Sequence, residues 1–142
     1  MSTHNFIEET LMTKRILIVE DDDQNWGSRM RNAAERSFKL HVVQAFDLTD
    51  AIEAVQKNTF DIVSIDGSFA TKAGGAIMRT AGIELIKHLK EVGFQGRIIF
   101  FSANDDQIMG FAHDPGITAI NKGLGAMAAW EEALQKIIRA AG

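Results

Sequence analysis

Apolar residues gather in five short runs along the chain, at 15–19, 40–45, 62–65, 97–101 and 117–120. Each is too short for a helix and rich in β-branched residues, the pattern of strands buried on both faces. Between the runs the apolar positions change to helical spacing. Trp26, Met30 and Ala33 recur at i, i+4 and i+7, and Leu48, Ile52 and Val55 do the same. Leu85, Leu89 and Val92 repeat the spacing, as do Trp130, Leu134 and Ile137. Each set reads as the core-facing stripe of an amphipathic helix, which gives Trp26 and Trp130 a packing role. A further short helix is expected within 102–114, stopped by Pro115-Gly116.

Strands alternating with helices imply parallel pairing through right-handed crossovers. The predicted fold class is therefore α/β, a doubly wound five-stranded parallel sheet with helices on both faces. Sheets of this kind bind ligands beyond the carboxyl ends of their strands. The informative residues are those that follow the runs: Glu20-Asp21-Asp22-Asp23, Asp66, Ser102 and Lys122. After the second run, Asp47 or Thr49 has the character of a helix N-cap. Asp22 or Asp23 suits the cap or first turn of the helix that carries Trp26.

An apolar strand running into four consecutive carboxylates needs a physical reason. Two unit charges about 4 Å apart repel by ~4 kcal/mol at an effective dielectric of 20. Such acids either splay into water or hold something positive. Taken singly, Ser102 reads as a capping residue and Lys122 as a solvated loop charge. Together at one sheet edge, these groups make a set suited to phosphoryl transfer. Mg²⁺ binds through one or two carboxylates and takes phosphate oxygens. A carboxylate can itself accept a phosphoryl group. A lysine and a hydroxyl can then neutralise and hydrogen-bond the transferred oxygens.

Bulk properties narrow the field. The chain has 142 residues, enough for one domain with a sizeable core. Cysteine is absent, which excludes disulfides, thiolate metal sites and thiol catalysis. The net charge of −4 offers no basic footprint for nucleic acid. His4, His41, His88 and His113 lack metal-ligand spacing. No apolar run approaches the ~20 residues that cross a bilayer, and no signal-peptide pattern is present, so the expected location is cytoplasmic.

At these residues the chain resembles the receiver domain of bacterial two-component response regulators, the CheY-like, flavodoxin-like fold. The resemblance covers about residues 14–140, and the expected organisation is an N-terminal arm at 1–13 and a receiver domain at 14–142. "ILIVEDD" resembles the family's first strand and acidic pair, which implies Glu20 and Asp21 as metal ligands. "FDIVSID" resembles its third strand, which implies Asp66 as phosphoacceptor. "RIIFFSA" and "ITAINKG" resemble the fourth and fifth strands, with Ser102 and Lys122 in the family's Ser/Thr and Lys positions. The residue two beyond the acceptor, here Ser68, is implied as a carbonyl ligand of the metal. The resemblance further implies Mg²⁺ as cofactor, a histidine kinase or histidine phosphotransfer protein as donor, and a downstream protein target. It implies a phosphoacceptor switch with slow self-catalysed dephosphorylation. The chain length leads to the expectation that the switch stands alone, and the charge and hydropathy to that of neither nucleic-acid nor membrane binding.

Three departures accompany it. The segment "DGSFATKAGGAIMRTAGIELI" lacks the family's Met-Pro pair and is lengthened before Gly82. Gly123 stands where a Pro usually follows the Lys. Ala119 stands where an aromatic switch residue is expected. The extra segment 69–81, rich in Gly, Ala and Thr, reads as a mobile loop. Lys72 and Arg79 within it are more simply solvated charges than phosphate ligands. Two other functions compete. A haloacid-dehalogenase-like phosphatase would use Asp21 as nucleophile, with Asp21 and Asp23 as its D-x-D pair, but would leave Asp66 without a role. A degenerate receiver would act purely as a binding module, without phosphorylation.

Overall fold

The computed structural model describes residues 13–141. His4 and all of the expected N-terminal arm except Thr13 lie outside the described residues. Strand β1 (Arg15–Val19) leads into helix α1, which is α-helical only at Ser28–Asn32 and widens to π-helical turns at Asp23–Gly27 and Ala33–Ser37. Then follow β2 (His41–Ala45), α2 (Leu48–Lys57), β3 (Ile62–Asp66), and a hairpin of β4 (Phe69–Ala70) and β5 (Ile77–Met78). The chain continues through α3 (Ala81–Glu91), β6 (Arg97–Ser102), α4 (Asp105–Gly110), β7 (Ile117–Asn121) and α5 (Ala126–Ala141).

Five strands pair in parallel in the order β2-β1-β3-β6-β7, as the alternation predicts. From β1 the chain first moves to one edge and then returns past β1 to β3, so the strand order switches between β1 and β3. Splitting of the apolar runs between two cores explains why they do not alternate with polar residues. Ile16, Ile18, Ile99, Phe101 and Ile120 pack with Met30 of α1 and with Trp130, Leu134 and Ile137 of α5. Leu17, Val19, Val63, Ile65 and Phe100 point the other way, onto Ala51 of α2 and Leu85 and Leu89 of α3. Trp130 is wholly buried, and its indole N–H donates to Ser64 Oγ in β3 at 2.8 Å. That bond answers the one polar demand of a residue otherwise buried for its apolar area. Among the described residues, no helix is long and apolar enough to cross a membrane.

Some local expectations are met and others need correction. Leu40 precedes β2, whereas β3, β6 and β7 each extend one residue further than predicted, so Asp66 and Ser102 end their strands. Asp47 caps α2, its carboxylate accepting from the Asp50 N–H at 2.8 Å, while Thr49 lies inside the helix. Asp22 opens α1 through its backbone carbonyl, which accepts from Asn25 and Gly27 N–H groups. Val92 is not part of the α3 stripe. It is the helix C-cap and is 59% exposed, because Gly93 at φ 74° turns the chain away.

The segment 69–81 is not an open loop. Its two short strands pair antiparallel, Phe69 opposite Met78 and Ala70 opposite Ile77. Phe69 and Ala81 are fully buried in the α2–α3 core, so this segment is tied down by its own apolar ends. Periodicity could not reveal a two-residue strand whose partner lies seven residues away.

Candidate functional site

Parallel ladders run past the strand ends and deliver the site residues to one edge. The Glu20 N–H donates to the Ala45 carbonyl at 3.2 Å, Gly67 N–H to Phe101 at 2.9 Å, and Lys122 N–H to Ser102 at 2.9 Å. Residues following β1, β3 and β7 are thereby held at the strand-order switch, where a doubly wound sheet binds ligands.

Glu20, Asp21 and Asp66 each offer a carboxylate oxygen within 4.8 Å of the others. Glu20 and Asp66 are buried, and Asp21 is half-buried. Lys122 reaches into the group, its ammonium 2.7 Å from Asp66 Oδ1 and 3.8 Å from Glu20 Oε2. The same ammonium lies 5.4 Å from the centroid of the Phe101 ring, against which Trp26 packs edge-on at 5.0 Å. An apolar, aromatic floor of this kind lowers the local dielectric and strengthens each charge interaction above it.

One ammonium does not balance three acids. Burial, and then repulsion from Asp66, push Glu20 up from 4.5 to about 8, against the pull of Lys122 and a hydrogen bond from the Asp22 N–H. Asp21 is also raised, first by burial and then by the Asp66 charge. The site therefore holds protons, or a cation, where exposed carboxylates would hold neither. Its donor set is all oxygen, which suits a hard divalent ion. Two oxygens on opposite sides of Mg²⁺ lie about 4.2 Å apart, so the 4.8 Å spread fits such an ion after a small contraction.

Ser68 is half-buried, and its N–H points to Asp66 Oδ1 at 3.4 Å. Ser102 reaches the same edge, but its hydroxyl turns elsewhere. It donates to Gln107 Oε1 at 3.1 Å and accepts from the Asn104 N–H at 3.0 Å. The site thus unites Glu20, Asp21, Asp66 and Lys122, and leaves the Ser102 hydroxyl facing α4. Lys72 and Arg79 have exposed side chains, in keeping with solvated charges.

Three residues here have roles that the sequence reading does not assign, although it marks Gly82 as the end of the lengthened segment. Gly67 and Gly82 permit close approach around Asp66. A Cβ on Gly82 would lie 2.4 Å from the Asp66 carbonyl, and one on Gly67 2.6 Å from Ser102 Oγ. Gln107 is the third, and its signal was present: Asn104-x-x-Gln107 has the spacing of a capping box. Asn104 does cap α4, accepting from the Gln107 N–H at 3.1 Å. The reciprocal half is diverted, because the Asn104 N–H is already taken by Ser102.

This arrangement of five parallel strands in β2-β1-β3-β6-β7 order, with helices between them, has solved counterparts. The Francisella response regulator 1452 receiver domain superposes with a TM-score of 0.70 at 18% identity, covering 92% of this chain and all of that one. The chain has the receiver-domain fold. A two-component AraC-type transcriptional regulator from Clostridium phytofermentans gives 0.67 at 22% identity, over 89% of this chain and 93% of that one. The response regulator TrrA from Thermotoga maritima, solved in complex with Mg²⁺ and beryllofluoride, gives 0.60 at 18%, over 88% and 99%. No family model matches the sequence, and no curated protein matches it.

Proposed function

We propose that residues 14–142 act as a phosphoacceptor switch in two-component signalling. A histidine kinase or a histidine phosphotransfer protein donates a phosphoryl group to Asp66, and the altered surface binds a downstream protein. The observation that carries this reading is the position of Asp66: it belongs to the acidic cluster and is the acid on which Lys122 sits, at 2.7 Å. A lysine on that oxygen compensates the acids while no metal is bound, and it is also the cation placed to stay with the oxygen that is phosphorylated. A lysine that must later neutralise a new anion has to be there.

In the transfer, an oxygen of the Asp66 carboxylate attacks phosphorus. The bond from phosphorus to the donor imidazole nitrogen breaks, and an acyl phosphate forms. Glu20, Asp21 and Asp66, with the Ser68 carbonyl, would hold Mg²⁺, which supplies charge neutralisation for the transferred group. Lys122 stays beside Asp66 and ion-pairs with the product, whose charge is about −1.5 to −2. The Ser102 hydroxyl offers a hydrogen bond to a phosphoryl oxygen once it leaves Gln107. Hydrolysis of the acyl phosphate resets Asp66, at a rate limited by how well water reaches the half-closed edge.

Incubation with acetyl phosphate and Mg²⁺, followed by intact mass and peptide mapping, tests the reading. The label is expected on Asp66 and lost in Asp66→Asn. A label that survives Asp66→Asn and disappears in Asp21→Asn would transfer the chemistry to Asp21 and make the protein a phosphatase instead.

A further inference from the structure

Gln107 stands outside the acidic cluster, yet it holds one of the groups the cluster needs. Its Oε1 accepts the Ser102 hydroxyl proton at 3.1 Å, and its Nε2 donates to the Arg79 carbonyl at 3.2 Å. Arg79 lies just beyond β5, at the end of the 69–81 hairpin. One amide side chain therefore connects the Ser102 hydroxyl to the second leg of the insertion.

The surroundings make this connection tight. A Cβ on Gly67 would lie 2.6 Å from Ser102 Oγ and 3.1 Å from Gln107 Oε1, so the residue after Asp66 packs directly on the pair. The Gly67 carbonyl accepts from the Gly82 N–H at 3.2 Å, closing the base of the hairpin beside Asp66. The first leg is held from another direction. The Thr71 carbonyl accepts from both the N–H and the hydroxyl of Thr49 in α2, at 3.0 and 2.8 Å. Ala119 has no ring through which β7 could report a shift of Ser102.

We propose that Gln107 is a positioning residue that holds the Ser102 hydroxyl away from Asp66 and ties that orientation to the second leg of the 69–81 hairpin. The proposal rests on Asp66 being the phosphoacceptor. A hydroxyl has one proton to donate. When a phosphoryl oxygen takes it, Gln107 Oε1 loses its donor, the amide turns toward water, and the Arg79 carbonyl loses its partner. The 77–80 leg loosens while the 69–71 leg, anchored by Thr49, stays closed. The hairpin then reads occupancy of Asp66 as an asymmetric opening, and exposed Ile77 sits on the leg that opens.

Hydrogen exchange on the full chain tests this, with Mg²⁺ alone and with Mg²⁺ plus beryllofluoride, in wild type, Gln107→Leu and Ser102→Ala. In wild type, beryllofluoride should speed exchange at 77–80 by about two- to tenfold, the worth of one hydrogen bond, and leave 69–71 unchanged. Gln107→Leu should show the faster 77–80 exchange without beryllofluoride and gain nothing more when it is added. Because its Ser102 proton is free, it should also bind beryllofluoride about two- to tenfold more tightly, a gain that a purely structural role for Gln107 would not produce. A beryllofluoride response of wild-type size in Gln107→Leu overturns the proposal, as does no response at 77–80 in wild type while Trp26 fluorescence reports binding. If beryllofluoride does not bind, the phosphoacceptor reading fails by itself. The metal-only comparison still decides the link between Ser102, Gln107 and the hairpin: Ser102→Ala and Gln107→Leu must both speed 77–80 exchange, and unchanged rates overturn it.

Discussion

Lys122 and Asp66 are 56 residues apart in sequence and 2.7 Å apart in space, an ammonium against a carboxylate oxygen at the floor of an acidic edge. The pair forms because β3 and β7 flank β6 in a parallel sheet whose ladder delivers both residues to the same end. Within the metal-free protein, Lys122 serves as the counter-ion that a metal cation would otherwise supply.

Removing that counter-ion should make the protein depend on metal. In EDTA, Lys122→Ala should lose roughly 2 kcal/mol of stability, below the 3–5 of a fully buried pair because the ammonium keeps contact with water. Mg²⁺ should restore more of the melting temperature in the variant than it adds to wild type. Equal gains in the two proteins would show that Lys122 does not compensate the acids.

The raised Glu20 fixes the sign of a pH dependence. The folded chain holds this proton more tightly than the unfolded one, up to about 8 against 4.5. Its contribution to stability is complete below the lower value and drains away as pH rises toward the upper one. Metal-free protein should therefore lose stability across that window, by at most about 1.4 kcal/mol per pH unit for one proton. Glu20→Gln should flatten the dependence. Urea unfolding in EDTA at several pH values measures it, and stability that rises through the window would contradict a protonated Glu20.

Gly82 sits where a side chain has no room. In Gly82→Ala the new Cβ would meet the Asp66 carbonyl at 2.4 Å and the Phe100 ring at 3.0 Å. Backbone cannot yield as a flexible side chain does, so a loss of about 1–3 kcal/mol is expected. The displaced Asp66 should also label more slowly with acetyl phosphate. Labelling at the wild-type rate would mean that the strain is absorbed on the α3 side.

Ser64→Ala leaves the buried Trp130 indole N–H without its 2.8 Å acceptor. An unpaired buried donor costs about 1–3 kcal/mol. Chemical denaturation should show that loss with no change in labelling of Asp66, which separates the α5 core from the site.

Local pattern was enough to determine the five strands, the α/β class and the acids, hydroxyl and lysine at strand ends, because burial on two faces leaves an unbroken apolar run and each ladder ends within a residue of where that run ends. The Asp47 cap was legible for a similar reason: a cap and its helix are neighbours in sequence. Contacts between distant segments were not legible. That Lys122 rests on Asp66, that Gln107 completes no capping box but takes the Ser102 proton, and that Gly82 must be bare beside the Asp66 carbonyl all depend on which chain ends the sheet brings together. The 69–81 segment marks the same boundary. Its composition resembles a loop, and only the burial of Phe69 and the pairing of Ala70 with Ile77 make it a hairpin. Side-chain type and spacing determine what a residue can do, whereas tertiary packing decides which partner takes its one proton or its one charge.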